Sequence, residues 1–174
     1  MKVDQLGHVV LYVRDAERSA GFYRDVLGWR EILPAEAAAA DQPDATGTDT
    51  EVKAKPETKR RQYAAFSSPN GRTHHELLLI EVGAEAAAYP PAPRIGMYHF
   101  GVKIGDTDDE LREAVAKLEA TGTRVVGSSD HGVTHSLYIL DPDGNEIELY
   151  IDVADVDWRT DPSLLFSPPK PLSL

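Results

Sequence analysis

The chain has 174 residues, with 18 Lys and Arg against 29 Asp and Glu, a formal charge of −11, six His and no Cys. That length suits one domain, or a pair of small packed modules, with a real core. The missing cysteines exclude a disulfide scaffold, thiolate zinc sites, iron–sulfur clusters and cysteine nucleophiles. Scattered basic residues on an acidic chain exclude a nucleic-acid partner, which needs clustered Lys and Arg. No apolar run approaches the roughly 18 residues of a membrane span, and the first fourteen residues lack a signal-peptide pattern, so no membrane partner and a cytoplasmic location are expected.

Residues 6–13 (Leu-Gly-His-Val-Val-Leu-Tyr-Val) are β-branched and aromatic and predict a buried strand. Asp15 offers an N-cap, Ala16, Ala20, Tyr23 and Leu27 follow at near-helical spacing, and Gly28 stands where a helix stops. A second strand is expected from Trp29 to residue 33. Residues 35–58, rich in Ala, Asp, Thr and Pro, bury too little apolar surface to order themselves and are expected to form a surface insertion. Strands are predicted over 62–66 and 75–82, with a turn at 68–71 and a Pro-rich linker at Pro90, Pro91 and Pro93.

The pattern then restarts. Residues 97–104 predict a strand, and Thr107 with Glu110 forms a capping box. Leu111, Val115 and Leu118 make an apolar stripe ending at Gly122. Strands follow at 124–126, 136–140 and 146–152, with a turn at 141–144. The tail from Asp161, with Pro162, Pro168, Pro169 and Pro171, is expected to be extended and to lie across a surface. Each half thus reads strand, helix, three strands, with His8 and His99 at matching places in the first strands. The fold class expected is α+β: two βαβββ modules, about 3–83 and 96–152 of a single domain 1–152, paired into a curved mixed sheet around a cleft. Trp29, Phe100 and Tyr12 are assigned to the core, with lining of the pocket as the alternative.

All six His, at 8, 74, 75, 99, 131 and 135, lie on or beside predicted strands. Glu146, Glu148 and Tyr150 alternate, so they share one strand face; a solvated strand and a metal-lining strand both show this pattern. Two imidazoles and a carboxylate without thiolate suit Fe(II), Mn(II), Ni(II) or Zn(II), with positions left open for substrate and for O2 or water.

Gly7-His8-Val-Val-Leu-Tyr-Val13, Phe22-Tyr-Arg-Asp-Val-Leu-Gly-Trp29, His99-Phe-Gly-Val102 and Asp141-Pro-Asp-Gly-Asn-Glu-Ile-Glu-Leu-Tyr150 resemble the vicinal oxygen chelate superfamily of glyoxalases, bleomycin resistance proteins and extradiol dioxygenases. The stretch from His131 through Tyr138 and Asp141-Pro-Asp-Gly144 to Glu148 is similar to the extradiol dioxygenase signature. The resemblance implies His8, His99 and Glu148 as ligands of Fe(II), or less often Mn(II). It also implies His75 as acid–base residue, with Tyr138 and His131 at the substrate. The implied activity is ring cleavage of a catechol-type aromatic diol by O2, within aromatic hydrocarbon catabolism, by a homodimer.

Glu76 supports a rival. Aligned with Glu148, it gives a set of His8, Glu76, His99 and Glu148, which resembles glyoxalase I and the epimerases, where a metal-bound Glu is the base. In a strand only one of His75 and Glu76 faces the metal. A metal-free ligand-binding resistance protein is the remaining alternative.

Overall fold

In the computed structural model, which describes residues 1–32, 61–68, 73–88, 90 and 93–174, the chain divides into two units, Met1–Ala86 and Ala87–Leu174. The expected insertion at 35–58 and most of the turn at 68–71 lie outside the described residues.

The first unit contains β1 (Val9–Val13), α1 (Ala16–Gly21), a π turn (Phe22–Val26), β2 (Arg30–Ile32), β3 (Tyr63–Ser67) and β4 (Leu77–Glu81). The sheet order is β1-β4-β3-β2, with β1 parallel to β4 and the other pairs antiparallel. Alternation gives the sheet two faces. Leu11, Val13, Ala64, Phe66, Leu77 and Leu79 are buried together with Ala16, Ala20 and Tyr23, whereas Val10, Tyr12 and Tyr63 are exposed. Tyr12 therefore lies outside the core to which it was assigned, because its parity along β1 puts it opposite Leu11 and Val13.

Asp15 caps α1 by accepting the Arg18 amide at 3.0 Å. The predicted helix changes to a π turn after Gly21, where the Phe22 amide bonds back to the Arg18 and Ser19 carbonyls. It ends at Gly28, whose φ of +72° is open to glycine at little cost, with Trp29 N–H bonding to the Tyr23 carbonyl at 3.1 Å.

The second unit repeats the plan with β5 (His99–Gly105), α2 (Asp108–Ala120), β6 (Val125–Asp130), β7 (Thr134–Leu140) and β8 (Glu146–Asp152). Its order is β5-β8-β7-β6, again with the first and last strands parallel. Leu111 and Leu118 of α2 are buried with Leu137, Ile139, Ile147, Leu149 and Ile151. Replacing either Leu by Ala removes about 2–5 kcal/mol of stability. β6 and β7 are longer than expected because Ser128 to Asp130 pair with residues 135–137 beyond the apolar stretches. The tail is extended only in part. It forms a 3-10 turn (Pro162–Phe166), then Lys170 exchanges two backbone hydrogen bonds with Asp130, and Leu172 and Leu174 help line a groove of about 400 Å³ beside Val115 and Leu137.

Among the described residues no helix is long and apolar enough to cross a membrane.

Candidate metal centre

In the first unit His8 immediately precedes β1. The Val9 amide donates to the Glu76 carbonyl at 2.9 Å, which sets the residue before β4 beside it. The His75 ring lies 4.6 Å from the His8 ring between centroids, and His74 stands 4.3 Å from His75. His75 Nε2 is buried and has no hydrogen-bond partner. Burial first, then the neighbouring His74 and His8, hold the His75 imidazole below its ordinary value against the opposing Glu76 charge. A neutral ring with an unoccupied nitrogen is able to accept a proton.

Glu76 is differently placed. Its Oε2 accepts the Ser68 amide at 2.7 Å and its Oε1 the Ser68 hydroxyl at 2.9 Å. Burial pushes this carboxyl up, but the Ser68 amide, the Thr73 hydroxyl and the Ser68 hydroxyl outweigh it, and the net position is below the usual carboxylate value. The strand begins at Leu77 rather than at His75, so strict alternation does not govern the pair. His75 turns to His8 while Glu76 ties β4 to the end of β3.

Sheet register also fixes how the halves correspond. Val9 pairs with Leu77, and Phe100 pairs with Ile147. Matching His8 to His99 therefore matches Glu76 to Glu146, and the place of Glu148 is taken by Leu78. The alignment of Glu76 with Glu148 is two residues out of register.

In the second unit the β7–β8 turn does the positioning. Buried Asp141 accepts the amides of Asp143 and Asn145 at 2.9 and 2.8 Å and the Asn145 side chain at 2.8 Å. That closed turn sets a register in which Tyr138 pairs with Glu148. The Tyr138 hydroxyl donates to Glu148 Oε1 at 3.3 Å and lies 2.9 Å from His131 Nε2. Burial, then the Glu148 charge, pushes the Tyr138 phenol up to about 12, so it stays protonated and able to donate.

His99 starts β5, with Nε2 3.3 Å from Glu148 Oε2. Gly101, the cross-strand partner of Glu148, leaves the space for this. A Cβ there would stand 3.4 Å from Glu148 Oε2 and 3.2 Å from the Tyr150 ring. Glu146 and Tyr98, to which sequence reasoning gave no role at His99, both adjoin it. The Tyr98 ring packs tilted against His99 at 4.7 Å between centroids, and Glu146 is the cross-strand partner of His99. The signal for Glu146 was its place two residues before Glu148.

Among the described residues no three His, Asp or Glu side chains form a group able to hold a metal ion. The expected ligands are divided, His8 on the first unit and His99 with Glu148 on the second. The second-unit pair fits a metal. Neighbouring ligands about 2.1 Å from a six-coordinate ion stand about 3 Å apart, close to the observed His99–Glu148 separation. The donor set of imidazole and carboxylate without thiolate suits a first-row divalent ion.

Residues 5–149 match the profile of the Glyoxalase/Bleomycin resistance protein/Dioxygenase superfamily, and the chain belongs to that superfamily. It is 30% identical over 156 residues to a catechol-2,3-dioxygenase of Bacillus subtilis, covering 90% of this chain and 44% of the relative. An iron-dependent extradiol dioxygenase of Rhodococcus jostii is 29% identical, with 88% of this chain and 46% of the relative covered. The chain thus spans less than half the length of these relatives. Among solved structures, a lactoylglutathione lyase of Agrobacterium tumefaciens aligns with a TM-score of 0.54 at 25% identity, covering 87% of this chain and 96% of that one. A glyoxalase/dioxygenase of Nostoc punctiforme aligns at 0.57 and 21% identity, covering 85% and 90%, and shares the fold. Both relatives by sequence are named as dioxygenases.

Proposed function

We propose that this chain is an extradiol ring-cleavage dioxygenase acting on a catechol-type diol with O2. His8, His99 and Glu148 would hold Fe(II), with Mn(II) as the lesser alternative. The carrying observation is that His75, not Glu76, lies against His8, while the Glu76 carboxylate is engaged by Ser68. A lyase or epimerase of the glyoxalase I kind needs a carboxylate from the first unit, and Leu78 fills the position that matches Glu148.

The chemistry that Fe(II) would supply is Lewis acidity toward the diol and electron exchange with O2. The remaining work falls to side chains. His75, held neutral, accepts a phenolic proton at Nε2 and can return it to the opening ring. Tyr138, held protonated, donates to the substrate oxygen on which charge develops, and His131 orients that hydroxyl from 2.9 Å. The substrates are an aromatic diol and O2, and the assembly is a homodimer.

Oxygen consumption by the Fe(II)-loaded chain tests this reading. Uptake of one O2 per catechol with a yellow ring-cleaved product is expected. No uptake across a panel of catechols, together with turnover of the methylglyoxal–thiol adduct, would establish the lyase instead.

A further inference from the structure

Two carboxylates flank one imidazole. Glu146 and Glu148 lie two residues apart on β8 and so share a face. The His99 ring lies between them, with Nε2 3.3 Å from Glu148 Oε2 and Nδ1 3.4 Å from Glu146 Oε1. His99 Nδ1 and Glu146 Oε1 are both buried, and neither has an aligned hydrogen bond. Each has lost water, and the partner each faces is the other.

This arrangement bears on which ring nitrogen is free. A neutral imidazole carries one proton, and a metal takes only the nitrogen without it. With Glu148 as its sole neighbour, the ring would keep its proton on Nε2, facing Glu148, and present the wrong nitrogen. A second carboxylate at Nδ1 draws the proton to the far side. Ligand imidazoles are commonly oriented in this way by a carboxylate behind them. In the first unit the register partner, Glu76, is held by Ser68 and is not available to His8 in this role.

We propose that Glu146 is a positioning residue: it accepts the Nδ1 proton of His99 and so fixes the tautomer that leaves Nε2 free beside Glu148. This rests on the reading of His99 and Glu148 as metal ligands.

The test uses the whole chain and two readouts. Nitrogen-15 NMR of the metal-free protein, labelled at His, reports which nitrogen of His99 is protonated. Calorimetric titration with Zn(II) reports affinity. Wild type is expected to show Nδ1–H; Glu146→Ala moves the proton to Nε2 and weakens Zn(II) binding about 10- to 100-fold. Glu146→Gln, whose amide oxygen still accepts, keeps the Nδ1–H tautomer and most of the affinity. Glu146→Asp, which keeps the charge but withdraws it from Nδ1, gives a smaller loss and serves if Glu146→Ala fails to fold. An effect confined to melting temperature, with tautomer and affinity unchanged in Glu146→Ala, would overturn the proposal. Failure of wild type to bind Zn(II), with the tautomer still switching, would overturn the metal-centre reading instead, so the spectra separate the two failures.

Discussion

His75 and Glu76 are neighbours in different surroundings, and the difference lies in a few contacts. One ring packs against His8 with its Nε2 buried and unpartnered; one carboxylate is closed by Ser68. Spacing alone left the pair open, because the alternation rule applies inside a strand and both precede β4. The deciding partner, Ser68, is eight residues away in sequence, where no local pattern points to it. The expected consequence is separable by mutation. His75→Gln lowers the ring-cleavage rate about 10²- to 10⁴-fold, the range for removing a general acid–base group, with Zn(II) affinity retained. Glu76→Gln keeps turnover and affinity and loses about 1 kcal/mol of stability. Steady-state kinetics and chemical denaturation of the two variants check this. By contrast, the juxtaposition of Tyr138 with Glu148 was legible, because a fixed Asp-Pro-Asp-Gly turn between two strands determines which residues pair across them.

At the level of elements, capping residues were readable and strand ends were not. The Thr107–Glu110 box is formed as its spacing predicts: the Glu110 carboxylate accepts the amides of Asp106 and Thr107 at 2.8 and 2.9 Å. The Asp106 amide, then the Thr107 hydroxyl, hold the Glu110 carboxyl below its ordinary value. A lowered folded value means the ionised form stabilises the fold, fully above the unfolded value and progressively less as pH falls through the folded one. Wild type should therefore lose melting temperature on acidification more steeply than Glu110→Gln. Gly105 belongs to the same device, since a Cβ there would stand within 2.6 Å of all three carboxyl atoms of Glu110. Gly105→Ala should displace Glu110 and lower the melting temperature by a few degrees at neutral pH, with little further loss in acid. Calorimetry across the acid range checks both. What sequence missed here were boundaries set by pairing: β6 runs on through Ser128, Ser129 and Asp130 because β7 supplies partners, not because these residues favour a strand.

At the scale of the molecule, the repeat seen in the sequence is a repeat in topology, with the first and last strands of each unit parallel. It is not a repeat in chemistry. The second sheet carries Glu146, Glu148 and Tyr150 on one face, whereas the corresponding places in the first are Glu76, Leu78 and Ile80. Backbone pairing thus repeats while the side chains differ, which is why the fold was legible from pattern. In the proposed centre His8, His99 and Glu148 are the ligands, and Glu76 takes no part. Metal content after anaerobic Fe(II) loading and desalting tests that claim most directly. One iron per chain is expected in wild type and in Glu76→Gln, with iron lost in His8→Ala and in Glu148→Gln; retention in His8→Ala, or loss in a folded Glu76→Gln, would contradict it.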